Sequence, residues 1–144
     1  MYDDILVPTD GGEQMDAVIE AAVDLATERD ATLHALSVID RGVFLTLDEG
    51  LTDAVDDELT ANAERAVDHV AEAARAAGID VETAISRGRP GDEINAHADE
   101  IDADLVVMGT RGVDGHERQM LGSVSQDVVG DSTRQTLVIP LGSD

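Results

Sequence analysis

The chain has 144 residues, enough for one domain with a single proper core, and 42% of them are hydrophobic. Thirty-two acids face nine arginines, for a formal net charge of −23, so a phosphate backbone is repelled and DNA and RNA are excluded as partners. Aromatic residues are only 1%, which removes any stacking platform for single strands and leaves Ala, Val, Leu and Ile to fill the core.

Ile5-Leu6-Val7-Pro8 is a short apolar run closed by Thr9-Asp10-Gly11-Gly12, and it reads as a first, central strand. A helix is expected over about residues 13–29, with Ala17, Val18, Ala21, Ala22 and Leu25 as its apolar stripe. Residues 31–39 read as a second strand, and 40–50 as an irregular loop carrying Phe44. A long acidic helix is expected over about 51–77. Val55, Leu59, Ala63, Ala66, Val70, Ala73 and Ala77 lie on one side, and Gly78 ends it. Residues 80–86 alternate as a third strand, with Val81, Thr83 and Ile85 facing one way. The turn Arg87-Gly88-Arg89-Pro90-Gly91 leads into a helix that buries Ile94, Ala98 and Ile101. Leu105–Met108 is the fourth strand, a helix is expected over about 123–129, and 136–141 closes the chain as a strand whose Pro140 suits an edge. Strands alternating with helical crossovers imply a five-stranded parallel, doubly wound α/β sheet with helices on both faces. Ligands on such sheets bind outside the carboxyl ends of the strands, where the strand order reverses. That rule gathers Pro8, Thr9, Asp10, Val38, Met108 and Gly109 around one crevice.

The stretch with the most chemistry is Leu105-Val106-Val107-Met108-Gly109, followed by Gly112 and then Gly122-Ser123-Val124-Ser125. The spacing Gly-x2-Gly-x9-Gly-Ser follows a strand and opens a helix. With glycine at about 7% of residues, a chance match in this length runs below roughly 1%. Main-chain N–H groups of Gly112, Gly122, Ser123 and Val124 suit a phosphate cradle, with hydroxyls from Ser123 and Ser125 and guanidiniums from Arg111 and Arg118. A glycine-rich surface loop with no ligand is the plainer alternative.

These residues resemble a family. Ile5-Leu6-Val7-Pro8-Thr9-Asp10-Gly11, the glycine loop after Val-Val-Met, and the closing Leu137-Val138-Ile139-Pro140 are similar to the universal stress protein family, over the whole chain. The loop motif is that of its ATP-binding branch. The resemblance implies a Rossmann-like fold of the adenine nucleotide alpha hydrolase type. It implies ATP with Mg²⁺ as ligand. Asp10 would then contact the adenosine half, and Pro8, Thr9, Val38 and Met108 would line the base pocket. Gly109, Arg111, Gly112, Gly122, Ser123, Val124 and Ser125 would surround ribose and phosphates. A homodimer through the last strand is implied in the same way. Gly12 departs from the family, which often has Ser there, and removes a helix cap beside Asp10. Asp10 also has a plainer role, capping the helix that follows; the two roles are compatible.

Other chemistries are not supported. The four histidines, His34, His69, His97 and His116, form no pair at metal-binding spacing, and no Gly-x-Ser-x-Gly occurs. Without lysine there is no Walker A loop, and Gly109-x2-Gly112-x2-Gly115 is not the dinucleotide fingerprint. The expected function is a stress-responsive protein that acts by nucleotide occupancy. A slow ATP hydrolase and a purely structural dimer are the alternatives. The absence of cysteine, of a basic leader and of a bilayer-length apolar run fits a cytoplasmic protein. The acids spread over every expected helix, which reads as a surface adapted to concentrated salt.

Overall fold

The computed structural model describes residues 3–11, 15–40, 49–109 and 135–139. Strands β1 (Asp4–Pro8), β2 (Thr32–Asp40), β3 (Val81–Gly88), β4 (Leu105–Gly109) and β5 (Gln135–Ile139) form one sheet. Helices α1 (Met15–Arg29), α2 (Glu49–Ala76) and α3 (Pro90–Ile101) connect the first four strands. The strand order is β3-β2-β1-β4-β5 and every pairing is parallel, so β1 is central and the order reverses between β1 and β4.

The alternation of each strand divides the core between two faces. Ile5, Val7, Leu33, Ala35, Leu105 and Val107 pack against Met15, Val18, Ile19, Ala22 and Ala26 of α1 and Val67, Val70 and Ala74 of α2. Leu6, Leu36, Val106 and Met108 pack on the opposite face against Ile94 and Ala98 of α3. Every residue of β4 is buried, as a strand covered on both faces should be.

Some local expectations shift. On α1 the buried stripe is rotated: Ala17 is exposed and Ala21 half-buried, while Ile19 and Ala26 face the sheet. Arg87 and Gly88 belong to β3 instead of a turn, because Ile39 and Asp40 of β2 offer them pairing partners. On that strand Val81 and Ile85 pack on the core but Thr83 is exposed. The helix expected over 123–129, Phe44 and Pro140 lie outside the described residues.

Helix ends follow their capping residues. Gly78 sits at φ +77, its N–H donates to Arg75 O (3.0 Å), and Ile79 N–H donates to Ala74 O (2.9 Å), which closes the last turn of α2. Helices α1 and α3 end the same way with Asp30 (φ 56) and Asp102 (φ 52) in the left-handed position, where an aspartate is strained and its charge meets the negative end of the helix. At the amino end of the sheet, Asp104 Oδ2 accepts from Asp3 N (2.7 Å) and Asp4 N (3.0 Å), and His34 Nε2 lies 2.9 Å from Asp4 Oδ1.

Two hydroxyls, Ser86 Oγ on β3 and Thr136 Oγ1 on β5, are buried with no hydrogen-bond partner among the described residues. An unpaired buried hydroxyl carries a desolvation cost of roughly 1–3 kcal/mol that an apolar replacement removes. Ser86→Ala and Thr136→Val are each expected to raise the unfolding free energy by about 1 kcal/mol, measured by urea titration. The two sites lie on opposite edge strands, so the double variant should show the sum. Lower stability in either single variant overturns the expectation.

Candidate functional site

The carboxyl ends of β2, β1 and β4 lie side by side, which brings Val38, Pro8-Thr9-Asp10 and Met108-Gly109 to one rim of the sheet. What opens this rim is the hydrogen-bond ladder itself. Thr9 N–H donates to Leu36 O (2.8 Å), while Asp4 O accepts from Asp104 N (2.8 Å). Odd-numbered residues of β1 therefore address β2 and even-numbered ones address β4. The next N–H due to reach β4 belongs to position 8, and proline has none. Pairing of β1 with β4 accordingly covers only Ile5 and Leu6, whereas β1 pairs with β2 over all five residues and β4 with β5 over all five. The two central strands lose their ladder just below the rim.

The turn after β1 is set by Thr9. Its side chain is buried, and its Oγ1 accepts from Gly11 N–H (3.1 Å). This short-range bond diverts Gly11 N–H from extending the ladder along β2. By the alternation of β2, whose even residues address β1, the main-chain N–H and C=O of Val38 point over the end of β1. A donor and an acceptor side by side on a main chain match the paired acceptor and donor on one edge of an adenine ring. Met108 is buried beneath and Gly109, buried without a side chain, leaves room for close approach.

Gly11 adopts φ +83 and its Cα faces helix α2: a Cβ built there would lie 3.2 Å from Ala66 Cβ. The turn is thus pressed onto a helix 55 positions further along the chain. Asp10 is exposed at the mouth, with a polar partner of its own. Arg111, Gly112, Gly122, Ser123, Val124 and Ser125 lie outside the described residues. Sequence reasoning placed Pro8, Thr9, Asp10, Val38, Met108 and Gly109 at the rim. It missed the direction of the Val38 main chain, which follows only from ladder parity, and the contact of Gly11 with Ala66.

Two histidines have acidic neighbours: His34 with Asp4 at the amino end of the sheet, and His69 of α2 with Asp16 in the first turn of α1 (2.8 Å). Among the described residues no group of three or more His, Cys, Asp or Glu is placed to hold a metal ion. No helix among them is long and apolar enough to cross a membrane.

A parallel sheet ordered 3-2-1-4-5, with a rim opened at its reversal point, defines a Rossmann-like α/β protein. Residues 1–140 match the universal stress protein family, and the chain belongs to it. It is 34% identical over 140 residues to universal stress protein MJ0531 of Methanocaldococcus jannaschii, which covers 96% of this chain and 82% of the relative. Among solved structures, hypothetical protein MJ0577 superposes with a TM-score of 0.85 at 26% identity, over 100% of this chain and 99% of that one. A universal stress protein in complex with cAMP superposes with a TM-score of 0.71 at 28% identity, over 96% and 97% of the two chains.

Proposed function

We propose that this protein binds an adenine nucleotide at the β1/β4 rim and acts by occupancy. The observation that carries the reading is the loss of β1–β4 pairing above Leu6 and Val106, beside a Val38 main chain aimed over the end of β1. The cAMP complex of a 28% identical relative supports adenine as the base. The described residues fit the adenosine half: Pro8, Val38 and Met108 offer apolar surface, and Thr9 and Asp10 offer polar atoms. The glycine loop from Gly109 through Gly112, Gly122, Ser123, Val124 and Ser125, with Arg111, supplies the amides and guanidinium that a triphosphate requires. Mg²⁺ enters with ATP, held by phosphate oxygens; the ion neutralises phosphate charge that this acidic molecule would otherwise repel. The reading is of a binding protein; slow ATP hydrolysis is the alternative, and release of inorganic phosphate from ATP on the same sample tells the two apart.

Homodimerisation through the last strand is part of this proposal. β5 is an edge strand, and its Leu137, 37% exposed, is the one exposed large hydrophobic side chain among the described residues. Isothermal titration with ATP and Mg²⁺ in molar salt tests the binding, and light scattering on the same sample reads the mass. Saturable heat at micromolar to millimolar ATP is expected. No heat at millimolar ATP overturns the nucleotide reading.

A further inference from the structure

We propose that the Asp10–Gly11 peptide is a site of spontaneous isomerisation, held in check by the hydroxyl of Thr9. The proposal goes beyond the nucleotide reading and stands without it. The chain has two Asp-Gly pairs, 10–11 and 114–115, and only the first lies among the described residues. An aspartate followed by glycine is the pair most open to this chemistry, because no side chain shields the glycine nitrogen. That nitrogen attacks Cγ of the aspartate side chain, and a C–N bond forms as one water leaves. Water then opens the five-membered imide at either carbonyl. Opening at one restores aspartate. Opening at the other gives isoaspartate, whose main chain runs through Cβ and Cγ.

This peptide is within reach of solvent, yet it is held. Asp10 and Gly11 are both exposed, so water and an imide ring have room. Two contacts oppose the reaction. Gly11 N–H donates to Thr9 Oγ1 (3.1 Å), and Gly11 Cα faces α2, where a Cβ would stand 3.2 Å from Ala66 Cβ. A peptide unit is planar, so holding its N–H and the Cα that follows holds the whole plane. Thr9 is itself anchored: it is buried, and its N–H donates to Leu36 O of β2 (2.8 Å).

Ring closure needs a different arrangement. The amide must turn its nitrogen toward Cγ and give up the proton now engaged in the bond to Thr9 Oγ1. Isomerisation therefore waits for local opening of that bond, and Thr9 acts as a positioning residue that sets how often it opens. Once formed, isoaspartate adds one carbon to the main chain between Thr9 and Gly11. A longer turn does not fit a span fixed at Thr9 and at Ala66, so the modified rim loses its built shape.

The test is prolonged warm storage of the full chain, folded in molar potassium chloride and, as the unguarded reference, unfolded in urea. Arg29 is the first Lys or Arg, so trypsin releases residues 1–29 as one peptide with a single Asp-Gly pair. Electron-transfer fragmentation of that peptide tells isoaspartate from aspartate at position 10. Folded wild type is expected to react at least tenfold more slowly than the unfolded chain. Thr9→Val keeps the shape and drops the acceptor, and should react at least threefold faster than folded wild type, which is roughly what loss of one net hydrogen bond allows. Thr9→Ser keeps the acceptor and should stay near the wild-type rate. Each variant is stored at a salt concentration where its far-UV signal matches the wild type. Equal rates in Thr9→Val and wild type overturn the guarding role, and so does a Thr9→Ser rate equal to that of Thr9→Val. Folded wild type reacting as fast as the unfolded chain overturns it without any variant. No isoaspartate at position 10 in the unfolded chain overturns the proposal outright.

Discussion

Dialysed from molar potassium chloride to low salt, the protein is expected to lose most of its far-UV helical signal, and to regain it when the salt returns. The net charge of −23 acts on one five-stranded sheet and the helices packed on it. Its self-repulsion is screened over about 3 Å at 1 M salt but reaches about 30 Å at 0.01 M, the span of the whole sheet. The geometry concentrates the problem at one pole. Asp3, Asp30, Asp80, Asp102 and Asp104 precede strands and Asp4 opens β1, all at the amino end of the sheet, where α1, α2 and α3 also present their negative ends. Asp30 adds a left-handed backbone to its unfavourable charge. Asp30→Gly should therefore fold at a lower salt concentration than the wild type, with a gain of about 1 kcal/mol at fixed salt. A neutral osmolyte in place of salt should not rescue the fold. Helical signal that ignores salt between these limits defeats the expectation.

The parts of this fold that were readable in the sequence are those where hydrophobic contrast is high. Leu105–Met108 is an unbroken apolar run, and it is the strand buried on both faces. Gly78 followed by Ile79 marks the end of α2, and both residues do what a helix terminus asks of them. Contrast fails on α1, where Ala17, Ala21, Ala22 and Ala26 are chemically alike. The larger Ile19 decides which of them turn inward. Likewise Gly88 and Pro90 read as turn punctuation, yet a neighbouring strand extended pairing through Arg87 and Gly88. The rule that ligands gather at strand ends picks out Pro8, Val38 and Met108, and the strand order puts all three on one rim of the sheet. The opening at Pro8 was not legible in the same way. It depends on which neighbour the missing N–H would have addressed, and that parity is a property of the assembled sheet.

Gly11→Ala should lower adenine-nucleotide affinity at least tenfold and destabilise the fold by about 1–2 kcal/mol, the cost of a left-handed backbone at a residue with a Cβ. Two separate physical effects act at this residue. Its φ of +83 is strained for any side chain, and its new methyl would stand 3.2 Å from Ala66 Cβ, tighter than ordinary van der Waals contact. Both effects move the turn that carries Thr9 and Asp10, so the change reaches the site as well as the packing. The pair of causes separates with a second substitution. Ala66→Gly in the Gly11→Ala background removes the methyl-to-methyl clash and leaves the backbone strain, so it should restore only part of the affinity. Glycine inside α2 itself costs about 1 kcal/mol, so total stability should not recover. Calorimetric titration of the two single variants and the double variant reads the coupling directly. Full restoration of binding in the double variant would assign everything to the clash. Unchanged binding in Gly11→Ala would remove the turn after β1 from the nucleotide site altogether.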